Sequence, residues 1–487
     1  MKLSNATLAA LPESVRRPTY DRAGLTPGIL HIGLGNFHRA HQAWYLHRLM
    51  QLGFAHDWAI VGAGVRPVDG EQRRKMLAQD CLTTLIELDP AGMNVEVTGS
   101  MIDYVPVEEG NAALIARMAE QGIRIVSTTV TEGGYYLDPA EKTFDARHPD
   151  ILHDAANPER PRTAFGAMVA ALRLRRDQGV GPFTGQSCDN LQGNGDVLRQ
   201  TVVGLARLSD PDLANWIDQN CTFPNSMVDC IVPATGPKEL ALAREIGIDD
   251  AVPVTHENFR QWVIEDDFCA GRPPFEKVGV TFSDNVHAYE TMKLRLLNAC
   301  HSAIAEAAQV LGVDTIAGCM SHNLISAFVR RLATQEIAPT VKAVPEFAPL
   351  DYAELIMRRF SNPKIVDTTR RVAADGSSKH PGFILPILKE QLATGGAIEG
   401  LALVEAAWAR MSAGVREDGS KIDINDPNRA DLVTAANAAR TRPRAWLEQS
   451  QFYGDLSRES RFADAFEGWL SLIWAEGISI ALAKYTT

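Results

Sequence analysis

At 487 residues the chain is too long for one ordinary core, so two domains are the expectation. Hydrophobic residues make up 45% and charged residues 22%, a globular balance, and no apolar run reaches the ~18 residues that a membrane span needs. A formal net charge of −12 without a basic stripe argues against nucleic acid or an anionic membrane surface as partner. The N-terminus MKLSNATLAALPESVRR lacks the apolar core and small-residue site of a secretory signal. Cys81, Cys188, Cys221, Cys230, Cys269, Cys300 and Cys319 are odd in number, widely spaced and free of C-x-x-C pairs. Free thiols in a reducing cytoplasm are therefore expected, with neither a disulfide scaffold nor a Cys-rich zinc site.

The first informative stretch is GILHIGLGNFHRAHQAWYLHRLM (28–50), a short apolar run, a Gly-x-Gly turn and a helical pattern. Gly33 and Gly35 would let a pyrophosphate approach the backbone at a helix N-terminus, or would simply make a tight turn. The third glycine of the dinucleotide fingerprint is replaced by His38. DWAIVGAGVRP (57–67) follows at the spacing of a second parallel strand. Beyond it, Asp69 could reach a ribose, or Arg66 a 2′-phosphate, so NAD and NADP both stay open.

CLTTLIELD and MNVEVTGSMIDYVPV read as extra strands. AALIARMAEQGIRIVSTTVTEGGYY (112–136) returns to a helix and an apolar strand, with Glu132 at the strand's carboxyl end. Glu132 is either a site residue or a polar turn residue. Next come a helix (165–179), a strand running into the amide-rich loop that carries Asn190, two helices, and the strand-like FPNSMVDCIVP with Asp229. From about residue 286 helical patterns take over, at 287–312, 320–336, 349–361, 383–396, 400–413, 429–440 and 463–484. Loops are expected between 337 and 348 and between 362 and 382. The second of these loops runs into DTTRRVAADGSSKHPGF, where Arg370, Arg371, Lys379 and His380 make a basic segment able to hold a polar substrate or merely to be solvated.

YETMKLRLLNACHSAIA (289–305) opens the helical half. With Lys293 at zero, an α-helix puts Glu290 at about 60°, His301 at about 80° and Asn298 at about 140°. The four polar groups share one broad side with Leu294 and Leu297, as in an active-site wall or a buried helix with snorkelling groups. Cys300 and His301 point about 100° apart and do not make a zinc pair, so no metal is expected.

HIGLGNFHRAHQ, TVTEGGY, SCDN, FPNSMVD, the spacing of Lys293, Asn298 and His301, and VAADGSSK together resemble the long-chain mannitol dehydrogenase family of polyol dehydrogenases. The likeness runs from about residue 1 to 480 and keeps the motif order. It implies an α/β Rossmann-type N-terminal domain with extra strands (1–286) and an all-α C-terminal domain (287–487) for substrate binding and catalysis. It further implies a zinc-independent, NAD(P)-dependent oxidoreductase with a lysine base. Lys293 matches the catalytic lysine, Asn190 and Asn298 the amides that polarise the substrate oxygen, and His301 a histidine that positions the substrate. Glu132 and Glu290 match carboxylates near a proton path. Asp229, Arg371, Lys379 and His380 match or neighbour groups around the open-chain sugar. Gly33, Gly35, Asn36, Phe37, Arg66 and Asp69 are the cofactor-binding candidates. Family members often have glycine at the position of Asn36, and VRPVD lacks one of two adjacent acids linked to NAD preference; NAD is favoured, with NADP open.

An exposed lysine, with a pKa of ~10.4, is a poor base at neutral pH, and burial among Leu294 and Leu297 would lower that value. Two amide donors on the reacting oxygen would act as an oxyanion hole. The expected reaction interconverts a polyol (D-mannitol, D-arabinitol or D-sorbitol) with its ketose, such as D-fructose. A hexuronate reductase acting on fructuronate or tagaturonate is the alternative, since the basic segment could receive a carboxylate. A non-catalytic nucleotide- or sugar-binding protein is the remaining reading. The expected partner is a small-molecule substrate, and a monomer is favoured.

Overall fold

The computed structural model describes residues 1–138 and 143–487; the side chain of Glu132 also lies outside the described part. The chain divides into two compact units, Met1–His287 and Ala288–Thr487.

In the first unit five strands form a parallel sheet: β1 (Pro27–Ile32), β2 (Ala59–Ala63), β3 (Met101–Tyr104), β4 (Ile125–Thr128) and β5 (Thr184–Ser187), in the order β3-β2-β1-β4-β5. Both faces of the sheet are covered, which is why these strands read as continuous apolar runs. Alternation divides each strand between two cores. Leu30 and Ile32 pack with Met118, Phe165, Met168 and Val202 on one side, and Ile29 with Leu46, Leu49, Met50 and Trp262 on the other. From β1 the chain steps one way to β2 and later the other way to β4. The switch point therefore lies at the carboxyl ends of β1 and β4, where such sheets open a crevice.

The expected extra strands are present, but they divide. Thr83–Asp89 and Gly92–Thr98 pair as an antiparallel hairpin in a separate four-stranded sheet with Val15–Arg16 and Val254–Glu257. Met101–Tyr104, read as part of the same excursion, instead joins the main sheet as β3. Ser226–Asp229 lies in a third sheet with Gln261–Ile264 and Thr281–Phe282. After the Gly-x-Gly turn the expected helix is broken. Asn36–Ala40 (α1) and Gln42–Gln51 (α2) are separated at His41, whose φ of −121° and ψ of −96° lie outside the helical region.

The second unit is helical. Val286–Met292 (α3) leads into a π-turn, Lys293–Asn298, and then into Ala299–Leu311 (α4). The segment 362–382, read as a loop, is mostly short helices: Thr369–Ala373 (α5), Gly376–Lys379 (α6) and a second π segment, His380–Ile384, before Leu385–Thr394 (α7). Glu399–Met411 (α8) is buried from Gly400 to its end, and its alanines, like those of α4, let neighbouring backbones approach closely. The helix expected over 463–484 is two helices, Ser460–Glu476 (α9) and Ile478–Thr486 (α10), because Gly477 takes φ +94° between them. Among the described residues no helix is long and apolar enough to cross a membrane.

Candidate active site

At the end of β1, Gly33 takes φ +94° and its N–H reaches the Ala63 carbonyl of β2 at 3.0 Å. A Cβ there would overlap the Thr129 carbonyl, so only glycine fits. Gly35 differs, since a Cβ on it meets nothing nearer than 3.9 Å. Its missing side chain leaves cleared space beside the turn. The third glycine is dispensable because His38 is a flat ring, fully buried, stacked at 3.5 Å on His31 of β1. Burial pushes both imidazoles well down, His31 to about 3, so they are neutral packing groups.

The side chain of Asn36 is spent inside the fold, which leaves its backbone N–H as the group for its expected cofactor role. Its Nδ2 donates to the Pro233 carbonyl and the Thr235 hydroxyl, both at 2.9 Å, and its Oδ1 accepts from Arg39 at 2.6 Å. Only the backbone N–H groups that open α1 are left to face an anion. Phe37 stacks on His41 at 4.8 Å. Beyond β2, Asp69 accepts from the Arg66 N–H at 3.0 Å and from its guanidinium at 2.9 Å. Asp229 ends its strand, buried. Asn190 is exposed just beyond β5, and Glu132 follows β4 in a short turn of helix.

In the second unit Lys293 is only 9% exposed and Glu290 5%, so neither is a solvated surface charge. Lys293 begins the π-turn and Asn298 ends it. Closure by i→i+5 bonds adds a residue to the turn, so the step from Lys293 to Asn298 is close to one full revolution. The α-helical spacing had put them about 140° apart. The wider turn brings Asn298 back toward the lysine side, and π-turns of this kind recur at functional sites. His301 stacks on Phe360 at 4.1 Å, and its Nε2 lies 4.0 Å from the carboxylate of Asp367.

Asp367 was not singled out by sequence. It also holds Arg371 through two contacts of 2.7 Å, a bidentate pair that raises the affinity of the guanidinium for its proton. The only sequence signal was its position four residues before Arg371. Arg370 pairs with Asp423, and Lys379 donates to the Val372 carbonyl at 2.8 Å. His380 lies farthest from its expected role. It is fully buried, stacked at 4.0 Å on Trp408, with Nδ1 at 2.7 Å from Glu405 and Nε2 at 2.5 Å from Glu306. Burial disfavours its charged form, but the two carboxylates outweigh that and hold it up at about 10. Both nitrogens are taken, so none remains for a sugar hydroxyl. In the supposed basic loop, Arg370, Arg371 and His380 are thus paired with carboxylates, and Lys379 is held by a backbone carbonyl.

A doubly covered parallel sheet with a glycine turn at its switch point, followed by a helical unit with a buried lysine, defines a Rossmann-type two-domain class. The mannitol dehydrogenase Rossmann domain family matches residues 27–277, and the mannitol dehydrogenase C-terminal domain family matches 285–474. The chain belongs to the mannitol dehydrogenase family. It is 53% identical to mannitol 2-dehydrogenase of Cereibacter sphaeroides, over 98% of this chain and 99% of that one. Identity to the mannitol 2-dehydrogenase of Aspergillus terreus is 40%, over 100% and 99%. Pseudomonas fluorescens mannitol 2-dehydrogenase, solved as a ternary complex with NAD and D-mannitol, superposes with a TM-score of 0.90 at 40% identity, over 100% of this chain and 99% of that one. A D-sorbitol dehydrogenase in substrate-free form gives 0.91 at 34% identity, over 99% and 100%.

Proposed function

We propose that the protein is an NAD-dependent polyol 2-dehydrogenase that interconverts D-mannitol and D-fructose, with D-arabinitol and D-sorbitol as related substrates. The observation that carries this reading is the buried lysine at the head of the π-turn closed by Asn298, in a chain that matches mannitol 2-dehydrogenases along its whole length. Bound NAD would accept the hydride from the carbinol carbon. Gly33, the cleared space at Gly35 and the N–H groups of Asn36 and Phe37 would hold its pyrophosphate. Asp69 would face the ribose hydroxyls. Because Asp69 neutralises Arg66, that arginine is poorly placed to attract a 2′-phosphate, which supports NAD over NADP.

Lys293 takes the hydroxyl proton in oxidation and returns it in ketose reduction. Its burial takes the amine out of contact with bulk water, at the head of the π-turn that Asn298 closes. Asn298 and Asn190 supply N–H donors to the oxygen as it becomes alkoxide-like, each contributing ~3 kcal/mol at the transition state. His301, held by Phe360 and Asp367, orients a neighbouring hydroxyl. Glu290 and Glu132 carry the proton to and from Lys293. Asp229, Arg371 and Lys379 border the rest of the open chain. The enzyme is expected to act as a monomer in the cytoplasm.

The pairing of Arg370 and Arg371 with carboxylates favours a neutral polyol over a hexuronate, whose carboxylate would meet no unpaired guanidinium there. A panel of fructose, xylulose, fructuronate and tagaturonate, reduced with NADH and with NADPH, tests the assignment. Fructose with NADH is expected to give the highest kcat/KM. Faster reduction of a uronate, or preference for NADPH, would displace it.

A further inference from the structure

Asn190 follows β5 and Glu132 follows β4, at adjacent strand ends in the first unit. Asp189 lies between the two segments, 7% exposed. Its Oδ1 accepts the N–H of Thr131 at 2.8 Å. Its Oδ2 accepts the N–H of Val130 at 3.0 Å and the hydroxyl of Tyr135 at 2.7 Å. Two consecutive N–H groups converging on one carboxylate make an anion-binding concavity, unlike the geometry of an extended strand. The chain there is strained: Thr131 takes φ 66° and ψ 164°, a region that suits glycine and that a β-branched residue scarcely visits.

The surrounding bonds tie this point to both strands. Tyr135 Oη lies 2.6 Å from Ser187 Oγ and 3.0 Å from Thr128 Oγ1, the last residues of β5 and β4. On the other side of Asn190, the buried Asn194 donates to the Asp189 carbonyl at 3.0 Å and to the Ser226 carbonyl at 2.8 Å, fixing the far end of the loop. An amide in place of the Asp189 carboxylate would turn its NH2 toward a backbone N–H, leaving a buried donor unmatched.

We propose that Asp189 is a positioning residue: its carboxylate clamps Thr131 at positive φ and so fixes where Glu132 and Asn190 stand at the ends of β4 and β5. The proposal rests on the roles given above to those two residues. The clamp offsets the cost of this conformation at a threonine, where glycine would be unstrained.

The test is a double-mutant cycle of Asp189→Asn and Thr131→Gly, read by kcat, by KM for NAD and by thermal unfolding. Asp189→Asn is expected to lower kcat by about tenfold or more while KM for NAD stays within about twofold. Thr131→Gly is expected to stay within about threefold of the wild type, and the double variant to recover at least about fivefold of the loss, because glycine holds the conformation unaided. Asp189→Asn within about twofold of wild-type kcat, or a double variant no faster than Asp189→Asn, would overturn the proposal. The unfolding arm needs no turnover: Thr131→Gly should raise the midpoint of the wild type, where the carboxylate holds the strained conformation, more than that of the Asp189→Asn protein, where Thr131 is free to relax. Equal shifts would disprove the clamp, whereas failure of the wild type to oxidise any polyol would remove the catalytic roles and leave this arm intact. If Asp189→Asn does not fold, Asp189→Glu keeps the charge and displaces it by one methylene; kcat lower by about fivefold is expected, and wild-type kcat would overturn the proposal.

Discussion

His380 and Arg371 fall in one stretch of basic residues, and both are spent on carboxylates of their own unit. For His380 the consequence is measurable. Its folded pKa is held at about 10 against an ordinary 6.5, so its charge stabilises the fold fully below about 6.5 and progressively less as pH rises through about 10. Glu306, on α4, and Glu405, on α8, are the carboxylates that face it, and Tyr453 donates to Glu405 at 2.5 Å. His380→Asn should therefore lower the unfolding midpoint near neutral pH and flatten its decline between pH 6.5 and 10. An unchanged slope would mean that the imidazole is neutral in the fold. Sequence showed Lys293, Asn298 and His301 because they share one helix and their spacing can be tested on paper. It did not show Asp367 or Asp189, whose partners are a histidine and an arginine brought together by folding, or backbone N–H groups that carry no residue identity. It misread His380, because nothing in SSKHPGF says that two glutamates from other helices close on it.

The π-turn is the element on which the site reading depends most. LRLLN carries no signal that separates an α-turn from a π-turn, so an α-helical phase was the natural reading and gave the wrong angle for Asn298. Inserting one alanine after Leu296 adds one residue, about 100°, to the step and should swing Asn298 and His301 by that angle relative to Lys293 while keeping the helix. Helical content is expected to persist in circular dichroism while kcat falls by ~10²-fold or more. An insertion variant with wild-type kcat would show that the phase of this turn has no part in catalysis. The short helices over 369–384 were hidden for a related reason. Gly376, Ser377, Ser378, Pro381 and Gly382 are weak helix formers or breakers. Tertiary contacts override that preference, since Asp426 accepts from the Ser377 N–H at 2.8 Å and from its hydroxyl at 2.7 Å, and Gly376 packs so closely on Trp408 that a Cβ would come within 2.6 Å of its Nε1.

At the scale of the molecule, the broad organisation was the most legible part. Strands alternating with helices up to about residue 286, and helices alone after it, follow from hydrophobic periods that local sequence carries, and the chain passes between its compact units at His287–Ala288. The hairpin sheet and the third sheet were less legible because strand runs do not name their partners; MIDY left its neighbours for the main sheet. The one group of the proposed reaction with no substitute is the lysine base, in the second unit. Steady-state oxidation of D-mannitol with NAD at neutral pH, by the wild type and by Lys293→Ala, tests this most directly. The wild type is expected to turn over, and Lys293→Ala to lose ~10²–10⁴-fold in kcat while KM for NAD changes little. A Lys293→Ala enzyme within about tenfold of wild-type kcat would contradict the account.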